Sequence, residues 1–280
     1  MPRSLPATRY ESSVDAAFLP SESLWCALEP LLPLPPLRPR GRPRGSDRQL
    51  FFAIFYVLRT GIQWKALPRC LGAASTAHDR FRQWVRAGVF EQLWQLGLLE
   101  LHLEGRLNWE FQALDGCQTK APLGGEATGK NPTDRGKLGV KRHLLTEANG
   151  LPIAVAVTGA NVADVTQVAT VLEAMPFLPP PPDEEHPQGF CADKGYDAQH
   201  VRRSIAQRGY EDHIKSRRQE AQLCHIPGYR ARRWVVEGTH SWLNRYRRLL
   251  IRWEKKLANY RALLLLACAN IVWSRSILFG

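Results

Sequence analysis

Apolar residues in the N-terminal part of the chain recur at the roughly 3.6-residue spacing of amphipathic helices. This periodicity predicts helices over residues 21–32, 46–61 and 89–101, and a further helix that begins near Ser75. Ser46 or Asp47 suits the first position of its helix, and Gly61 suits a helix end. The N-terminal part of the chain is therefore predicted to be helical.

The helix that begins near Ser75 has a strongly basic outer face. Phe81, Trp84 and Val85 are predicted to face inward. The residues predicted to face outward are His78, Arg80, Arg82, Gln83 and Arg86. Short helices with a basic middle helix favour a helix-turn-helix-like module that binds DNA. The alternative is a small helical bundle with a solvated charged face.

From Trp109 onward the pattern changes to the alternation typical of strands. Residues 109–116 alternate and end in Asp-Gly, so the first strand is predicted to end at Asp115. Residues 139–146 and 151–158 are β-prone and are separated by Glu-Ala-Asn-Gly, which predicts a hairpin. Residues 161–175 are predicted to form a helix, and the proline-rich residues 176–187 an exposed loop.

The remaining pattern completes a mixed α/β fold. It predicts strands at 189–193 and 210–215, a helix at 198–208, a long basic helix at 231–253 and an apolar helix at 257–278. This order is typical of an RNase H-like (retroviral-integrase-type) mixed five-stranded sheet with flanking helices. The predicted organisation is a segment with a basic Pro/Arg arm at 1–45, a helix-turn-helix-like domain at 46–105 and the RNase H-like domain at 106–280.

The charge of the chain points to a polyanionic partner. Lys and Arg number 38 against 26 Asp and Glu, a net charge of +12. Nucleic acid is the leading candidate, followed by an anionic membrane surface. The N-terminus has no secretion signal, and the apolar stretch 263–273 is too short to span a bilayer and contains Asn270. A cytoplasmic, nucleoid-associated protein is expected. The six scattered cysteines exclude a zinc ribbon or a disulfide scaffold.

Isolated carboxylates at strand ends are the candidate chemical groups. A basic protein that cuts nucleic acid can use two oxygen-ligated divalent ions about 4 Å apart to stabilise charge on the phosphodiester. Asp115 ends the first predicted strand and Asp193 the fourth. These strands are neighbours in an RNase H-like sheet, so the two carboxylates could share a metal ion. Taken singly, each is better explained as a turn residue, because Asp-Gly and Asp-Lys-Gly are good turn sequences.

The predicted helix at 231–253 supplies a third acid. At 100° per residue its apolar positions fall on one face, formed by Val235, Trp242, Tyr246, Leu249 and Trp253. Glu237 points the other way, on a side that also holds Arg233, Ser241, Asn244 and Arg245. A carboxylate among arginines suits a metal ligand close to DNA phosphates. The alternative is a surface glutamate that pairs with Arg233 one turn earlier.

Three ordered sequence blocks resemble the catalytic blocks of DDE transposases of bacterial insertion sequences, in the subgroup called insertion-sequence family five. The blocks are residues 114–165, the Ala-Asp-Lys-Gly-Tyr-Asp run at 192–197, and residues 232–273. Residues 50–68 and 75–94 are similar to the helical region that precedes the catalytic domain in that group. The resemblance covers roughly residues 21–275.

The resemblance implies that Asp115, Asp193 and Glu237 are the catalytic, metal-binding acids, with Mg²⁺ as the cofactor and Mn²⁺ as a substitute. It implies cleavage at transposon ends and transfer of the 3′-hydroxyl into target DNA. Arg233 matches the arginine of the family's Tyr-Arg-Glu-Lys signature. The sequence departs from that signature at two positions. Its tyrosine falls at Arg230, beside Tyr229, and its lysine falls at Asn244, beside Arg245.

Further basic residues are predicted to contact DNA, and a homodimer or higher assembly is expected because two transposon ends must be joined. The predicted DNA-binding residues are Arg233, Arg245, Arg42, Arg44, Arg80, Arg82, Lys141 and Arg142. A solvated basic loop is the alternative for the last two. Asp164 is interpreted as a helix-start or hydrogen-bonding residue. The alternative functions are a metal-dependent RNase H-like nuclease and a catalytically silent protein that binds inverted repeats.

Overall fold

The computed structural model describes residues 14–34, 44–214 and 232–278, with side chains described as far as residue 274. The greater part of the predicted basic arm, including Arg38, Arg40 and Arg42, lies outside the described residues. Tyr229 and Arg230, where the sequence departs from the signature tyrosine, also lie outside the described residues.

The predicted N-terminal helices are confirmed. They are α1 (Glu22–Leu28), α2 (Asp47–Thr60), α3 (Ala74–Arg86) and α4 (Val89–Leu103). Ser46 caps α2 by accepting a hydrogen bond from the backbone N–H of Gln49, and Gly61 ends it in the left-handed conformation at φ 72°. Local boundary signals in the sequence therefore determine where α2 begins and ends.

The helical part and the sheet share one hydrophobic core. Helix α4 packs along α8 (Leu257–Leu278), the last helix of the chain. The indole of Trp94 in α4 donates a hydrogen bond of 2.9 Å to the carbonyl of Pro152 in the sheet. The predicted domain boundary near residue 105 therefore does not coincide with a break in the core.

The sheet is mixed and carries helices on its faces, as predicted, but among the described residues it has six strands instead of the predicted five, because the short β2 adds to it. Its strands are β1 (Phe111–Lys120), β2 (Gly129–Lys130), β3 (Leu138–Glu147), β4 (Pro152–Gly159), β5 (Gly189–Cys191) and β6 (Glu211–Asp212). The main path is β4-β3-β1-β5-β6, and the short β2 pairs with the beginning of β3. β1, β3 and β4 pair antiparallel, whereas β5 and β6 extend the sheet in parallel with β1.

The predicted end of the first strand at Asp115 is wrong. β1 continues to Lys120, since its pairing with β3 runs from Gln112 to Lys120. Gly116 does not form a turn, because it pairs with His143 within the strand. Glycine is required here since a Cβ atom would overlap Oδ1 of Asp164. Asp115 therefore lies within a long strand. β5 pairs with β1 only as far as Ala113, so Asp115 emerges just beyond that pairing.

The predicted long helix at 231–253 is also wrong. Helix α7 covers Trp234–Asn244, and a separate 3₁₀ turn covers Arg247–Leu249. Tyr246 adopts extended backbone angles, φ −89° and ψ 90°, which interrupt the helix. Its hydroxyl accepts a hydrogen bond of 2.7 Å from Asn270 of α8. Tertiary contacts therefore override the helical periodicity of this segment.

The other flanking helices are short. The predicted helix at 161–175 is a 3₁₀ turn, Asp164–Gln167, followed by α5 (Val168–Glu173). Helix α6 covers Gln199–Ala206, and residues 176–187 have no helix or strand, as predicted.

Helix α8 confirms the apolar helix predicted at 257–278, and it is longer than the apolar stretch 263–273. Its segment Leu257–Ser274 has a mean hydropathy of 1.3 and meets the length and composition criteria for a membrane span. In the fold, however, 61% of that segment is buried, and α8 packs against α4, α7 and β4. This burial is typical of a core helix.

Candidate active site

Asp115 in β1 and Asp193 just after β5 occupy equivalent positions along two neighbouring parallel strands. Ala113 of β1 pairs with Cys191 of β5, and Asp115 and Asp193 each follow two residues later. Adjacent strands lie about 4.8 Å apart, so both residues leave the sheet at the same level. Asp193 is exposed, and its Oδ1 accepts a hydrogen bond of 2.8 Å from the N–H of Gly195. The prediction that these strands are neighbours is confirmed.

Glu237 reaches this region from the first turn of α7, which packs against β1 and β3. Its side chain is half-exposed, and Oε1 lies 2.5 Å from Nη1 of Arg233. The ion pair that formed the alternative interpretation is therefore present. This ion pair uses Oε1 of Glu237. Glu237 could therefore pair with Arg233 and also bind a metal ion through its other carboxylate oxygen.

The acids form one electrostatic neighbourhood. The pKa of Asp115 is raised to about 6, chiefly because burial disfavours its charged form. A backbone hydrogen bond from Gly116 opposes this effect, whereas the negative charges of Asp193, Glu237 and Asp164 add to it. Negative charges that oppose the ionisation of a neighbouring acid mark a site where a cation is favoured.

His240 and Tyr196 also belong to this site, although neither has a functional role in the sequence prediction. Nε2 of His240 lies 3.8 Å from Oδ2 of Asp115. Burial and the nearby Arg142 lower the pKa of His240 to about 3, so the imidazole is neutral at pH 7 and does not compensate the acids. Burial, followed by Asp164, Asp115 and Asp193, raises the pKa of Tyr196 far above its usual range. Position 240 lies about 60° from Glu237 on a helical wheel, a signal that could have identified the histidine.

Asp164 is held on the opposite face of the sheet from Asp115. It fits against Gly116, and neighbouring residues of a strand point to opposite faces. Its Oδ2 lies 2.8 Å from Nζ of Lys141, and its Oδ1 lies 3.4 Å from Nδ1 of His143. These contacts agree with the predicted hydrogen-bonding role.

The donor chemistry of the three acids fits a hard divalent cation, since carboxylate oxygens are the ligands that Mg²⁺ prefers. The pKa of Asp115 is raised chiefly by burial, and the negative charges of Asp193, Glu237 and Asp164 raise it further, so a cation close to these acids would be favoured. Within residues 14–34, 44–214 and 232–274, no three His, Cys, Asp or Glu side chains are already arranged as a closed metal-ligand cluster. The acids would therefore have to move closer together to share an ion.

Three predicted DNA-binding residues are buried. Arg80 is only 6% exposed and pairs with Asp47 of α2, so the prediction that it faces outward is wrong. Lys141 and Arg142 are 5% and 2% exposed, and this burial contradicts direct contact with phosphates. Their strand is covered by the 3₁₀ turn that carries Asp164 on one face and by α7 on the other.

The other described basic residues remain accessible. Arg245 is exposed at the end of α7, and the side chain of Arg82 is 41% exposed. Arg44 is exposed and lies 3.2 Å from Asp47. Asn244, at the position of the signature lysine, accepts a hydrogen bond of 3.1 Å on Oδ1 from Nη2 of Arg142.

The raised pKa of Asp115 leads to a pH-dependent stability prediction. An acid whose pKa is higher in the folded than in the unfolded state binds its proton more tightly when folded, which stabilises the fold at low pH. For Asp115 this stabilisation is lost as the pH rises from 3.8, its ordinary pKa, to about 6, its pKa in the folded protein. Without divalent metal, the melting temperature of the wild type should therefore fall relative to that of Asp115→Asn across this range. Thermal unfolding in EDTA at several pH values measures the difference, and a pH-independent difference would contradict the raised pKa.

Comparison with known proteins identifies the class to which this fold and acid cluster belong. A family model described as "Transposase DDE domain" matches residues 110–271, which include all three acids. A second model, described as "Putative transposase of IS4/5 family (DUF4096)", matches residues 21–94. The chain therefore belongs to the DDE transposases of the IS4/5 insertion-sequence family. It is a DNA transposase of a family that generally uses divalent metal ions.

Two curated proteins of Burkholderia cepacia are similar to the chain. The "Putative transposase for insertion sequence element IS402" is 44% identical over 149 residues, which cover 52% of this chain and 69% of that protein. The "Insertion element IS402 uncharacterized 16.2 kDa protein" is 35% identical over 116 residues, which cover 40% of this chain and 79% of that protein. No solved structure matches the chain significantly.

Proposed function

We propose that Asp115, Asp193 and Glu237 are the catalytic acids of this transposase and hold Mg²⁺, with Mn²⁺ as a substitute. One observation carries the assignment. The pKa of Asp115 is raised in part by Asp193 and Glu237, which belong to different elements of the fold. Acids from separate elements that lie close enough for two of them to raise the pKa of the third are typical of a site for divalent cations.

The strand order supports the proposal that the catalytic domain is RNase H-like. Three antiparallel strands, β4, β3 and β1, are followed by the parallel β5 and β6. In this arrangement Asp115 lies on the central strand and Asp193 follows its neighbour. We place the RNase H-like domain at residues 106–280 and the helical DNA-binding domain at 46–105, with residues 1–45 as an N-terminal segment and basic arm.

The side chains of the site have separable roles in the proposed reaction. Above about pH 6, Asp115 is ionised and can supply an anionic oxygen ligand. Arg233 holds one oxygen of Glu237 and thereby orients the carboxylate. His240 stays neutral, so no histidine cation competes for the acids. When bound, divalent ions activate the attacking oxygen and stabilise the leaving oxygen of a phosphodiester.

The proposed DNA substrates are the terminal inverted repeats of the element and the target DNA. The protein would cleave at the transposon end and transfer the resulting 3′-hydroxyl into the target, in a homodimer or higher assembly in the cytoplasm at the nucleoid. Arg233 and Arg245 flank the acids on α7, and Arg44 and Arg82 are accessible in the helical part. We propose phosphate contacts for these four residues and for Arg42 of the arm.

Titration with Mn²⁺ tests the metal assignment without relying on activity. Asp193→Asn and Glu237→Gln should each weaken Mn²⁺ binding by about tenfold or more, because each removes a charged ligand. The matched control is Asp197→Asn, since Asp197 is exposed and pairs with Arg202. Isothermal titration calorimetry measures the affinities. Unchanged binding by both site variants would refute the assignment, and DNA binding without metal binding would favour a catalytically silent protein.

A further inference from the structure

Arg142 in β3 is only 2% exposed, and no carboxylate of the described residues pairs with it. Its Nη2 donates hydrogen bonds to Sγ of Cys117 at 3.4 Å and to Oδ1 of Asn244 at 3.1 Å. Its Nε and Nη1 are buried and have no hydrogen-bond partner among the described residues. The guanidinium is therefore held by the side chains of a cysteine and an asparagine, and neither is a carboxylate.

Two titratable side chains near Arg142, those of Cys268 and Tyr260, are neutral near pH 7. Burial raises the pKa of Cys268 to about 12 and also raises the pKa of Tyr260. A buried cation without a counter-charge is unfavourable. An anion that approaches from the nearby surface would therefore be stabilised by Arg142.

The hydrogen bond from Arg142 determines which way the Asn244 amide points. A guanidinium can only donate hydrogen bonds, so Oδ1 must face Arg142 and the NH₂ group must point away from it. Asn244 is exposed at the end of α7. Its NH₂ group therefore faces solvent as a donor, and the hydrogen bond from the cation to Oδ1 polarises the amide.

Asn244 lies on the same side of α7 as Glu237. The two residues are seven positions apart, or about two turns and 10 Å along the helix axis. Duplex DNA rises about 3.4 Å per nucleotide along each strand. A backbone that passes over the acids would therefore bring a phosphate to Asn244 within about three nucleotides of the cleavage position.

We propose that the Asn244 side-chain NH₂ binds a phosphate of the DNA backbone, with Arg142 behind it as the buried counter-charge. This inference rests on the proposed passage of DNA over the acids. The C-terminal end of α7 carries about half a negative charge, which alone would repel a phosphate. Arg142 and the exposed Arg245 and Arg247 outweigh it. Asn244 thus supplies the donor, and Arg142 is a positioning residue that acts through it.

Substitutions at Asn244 test the donor. Asn244→Ala removes one hydrogen bond and should weaken DNA binding about fivefold. Asn244→Asp should weaken it about tenfold or more, because its carboxylate would pair with Arg142 and repel phosphate. Asn244→Lys should make the dependence of log affinity on log salt steeper by about 0.9. Fluorescence anisotropy with a labelled duplex of arbitrary sequence, in EDTA, measures each affinity.

Two controls separate the binding role from a structural role. Gln207→Glu adds the same charge as Asn244→Asp on an exposed position of a different element, and it should bind as the wild type does. Arg142→Met should weaken DNA binding in the wild-type background but have no further effect in Asn244→Ala. Melting temperatures identify any variant that has lost its fold, and the exposed Asn244 variants test the donor independently of Arg142.

Wild-type affinity in both Asn244→Ala and Asn244→Asp would overturn the inference. If Asp193→Asn still lost catalysis in that case, the proposed active site would stand and only the phosphate site would fail. If the wild-type protein did not bind the duplex, the proposed passage of DNA over the acids would itself fail. Weakened binding by both variants, with Gln207→Glu unchanged, supports the phosphate site.

Discussion

Asparagine in place of Asp193 is expected to reduce DNA cleavage and strand transfer by about a thousandfold or more. Loss of a charged metal ligand removes several kcal/mol of transition-state stabilisation, and about 1.4 kcal/mol corresponds to a factor of ten in rate. Asp193 is exposed, and an amide oxygen can still accept the hydrogen bond from Gly195. The fold should therefore be retained while the chemistry is lost.

The measurement combines the protein with DNA that carries the ends of its own element, a target plasmid, and Mg²⁺ or Mn²⁺. Cleaved ends and joined products are scored separately. Asp197→Asn makes the same chemical change at an exposed residue that pairs with Arg202, and it should retain activity. Normal joining by Asp193→Asn would contradict the catalytic assignment. Cleavage by the wild type without joining would favour the nuclease alternative.

Alanine in place of Glu254 is expected to destabilise the fold by about 3–5 kcal/mol, because it leaves a buried arginine without its partner. Nη2 of Arg248 lies 2.7 Å from Oε1 of Glu254, and the two side chains are 8% and 6% exposed. Nη1 of Arg248 also donates to the carbonyl of Ile62 at 3.2 Å, which joins the segment after α7 to the end of α2. In a domain of this size the loss should lower the melting temperature by about 10 °C.

Thermal and denaturant unfolding measure this effect. The matched control is Glu110→Ala, which breaks the exposed ion pair with Arg232, where the oxygen-to-nitrogen distance is 3.0 Å. Exposed ion pairs contribute about 1 kcal/mol or less, so this control should change stability little. Equal effects of the two substitutions would show that burial does not determine the strength of the Arg248–Glu254 pair.

Much of the secondary structure could be predicted from the sequence because its determinants are local. Ser46 and Gly61 bound α2, and the turn between residues 147 and 152 joins β3 and β4, all as predicted. The types of the candidate acids and their order in the chain are also visible in the sequence. The domain boundaries and the roles of the site residues stay predictions.

The failures of the sequence prediction involve contacts between distant parts of the chain. β1 runs past Asp115 because β3 pairs along its whole length and Gly116 accommodates Asp164. The helix after Glu237 ends early, and the Tyr246 that follows bonds to Asn270 of another helix. The burial of Arg142 also depends on a distant residue, since its amide partner Asn244 lies 102 positions away.

The sequence alone determined that this protein is basic, that its N-terminal part is helical, and that acids suited to divalent ions occur in three ordered blocks that resemble those of DDE transposases. These properties depend on residue type and on spacing along the chain. Only the tertiary structure decided which charges face DNA and which are buried, because desolvation and ion pairing depend on residues brought together by folding. It therefore shows that Arg80, Lys141 and Arg142 are buried and do not belong to the accessible basic surface, and that Arg142 donates a hydrogen bond to Asn244.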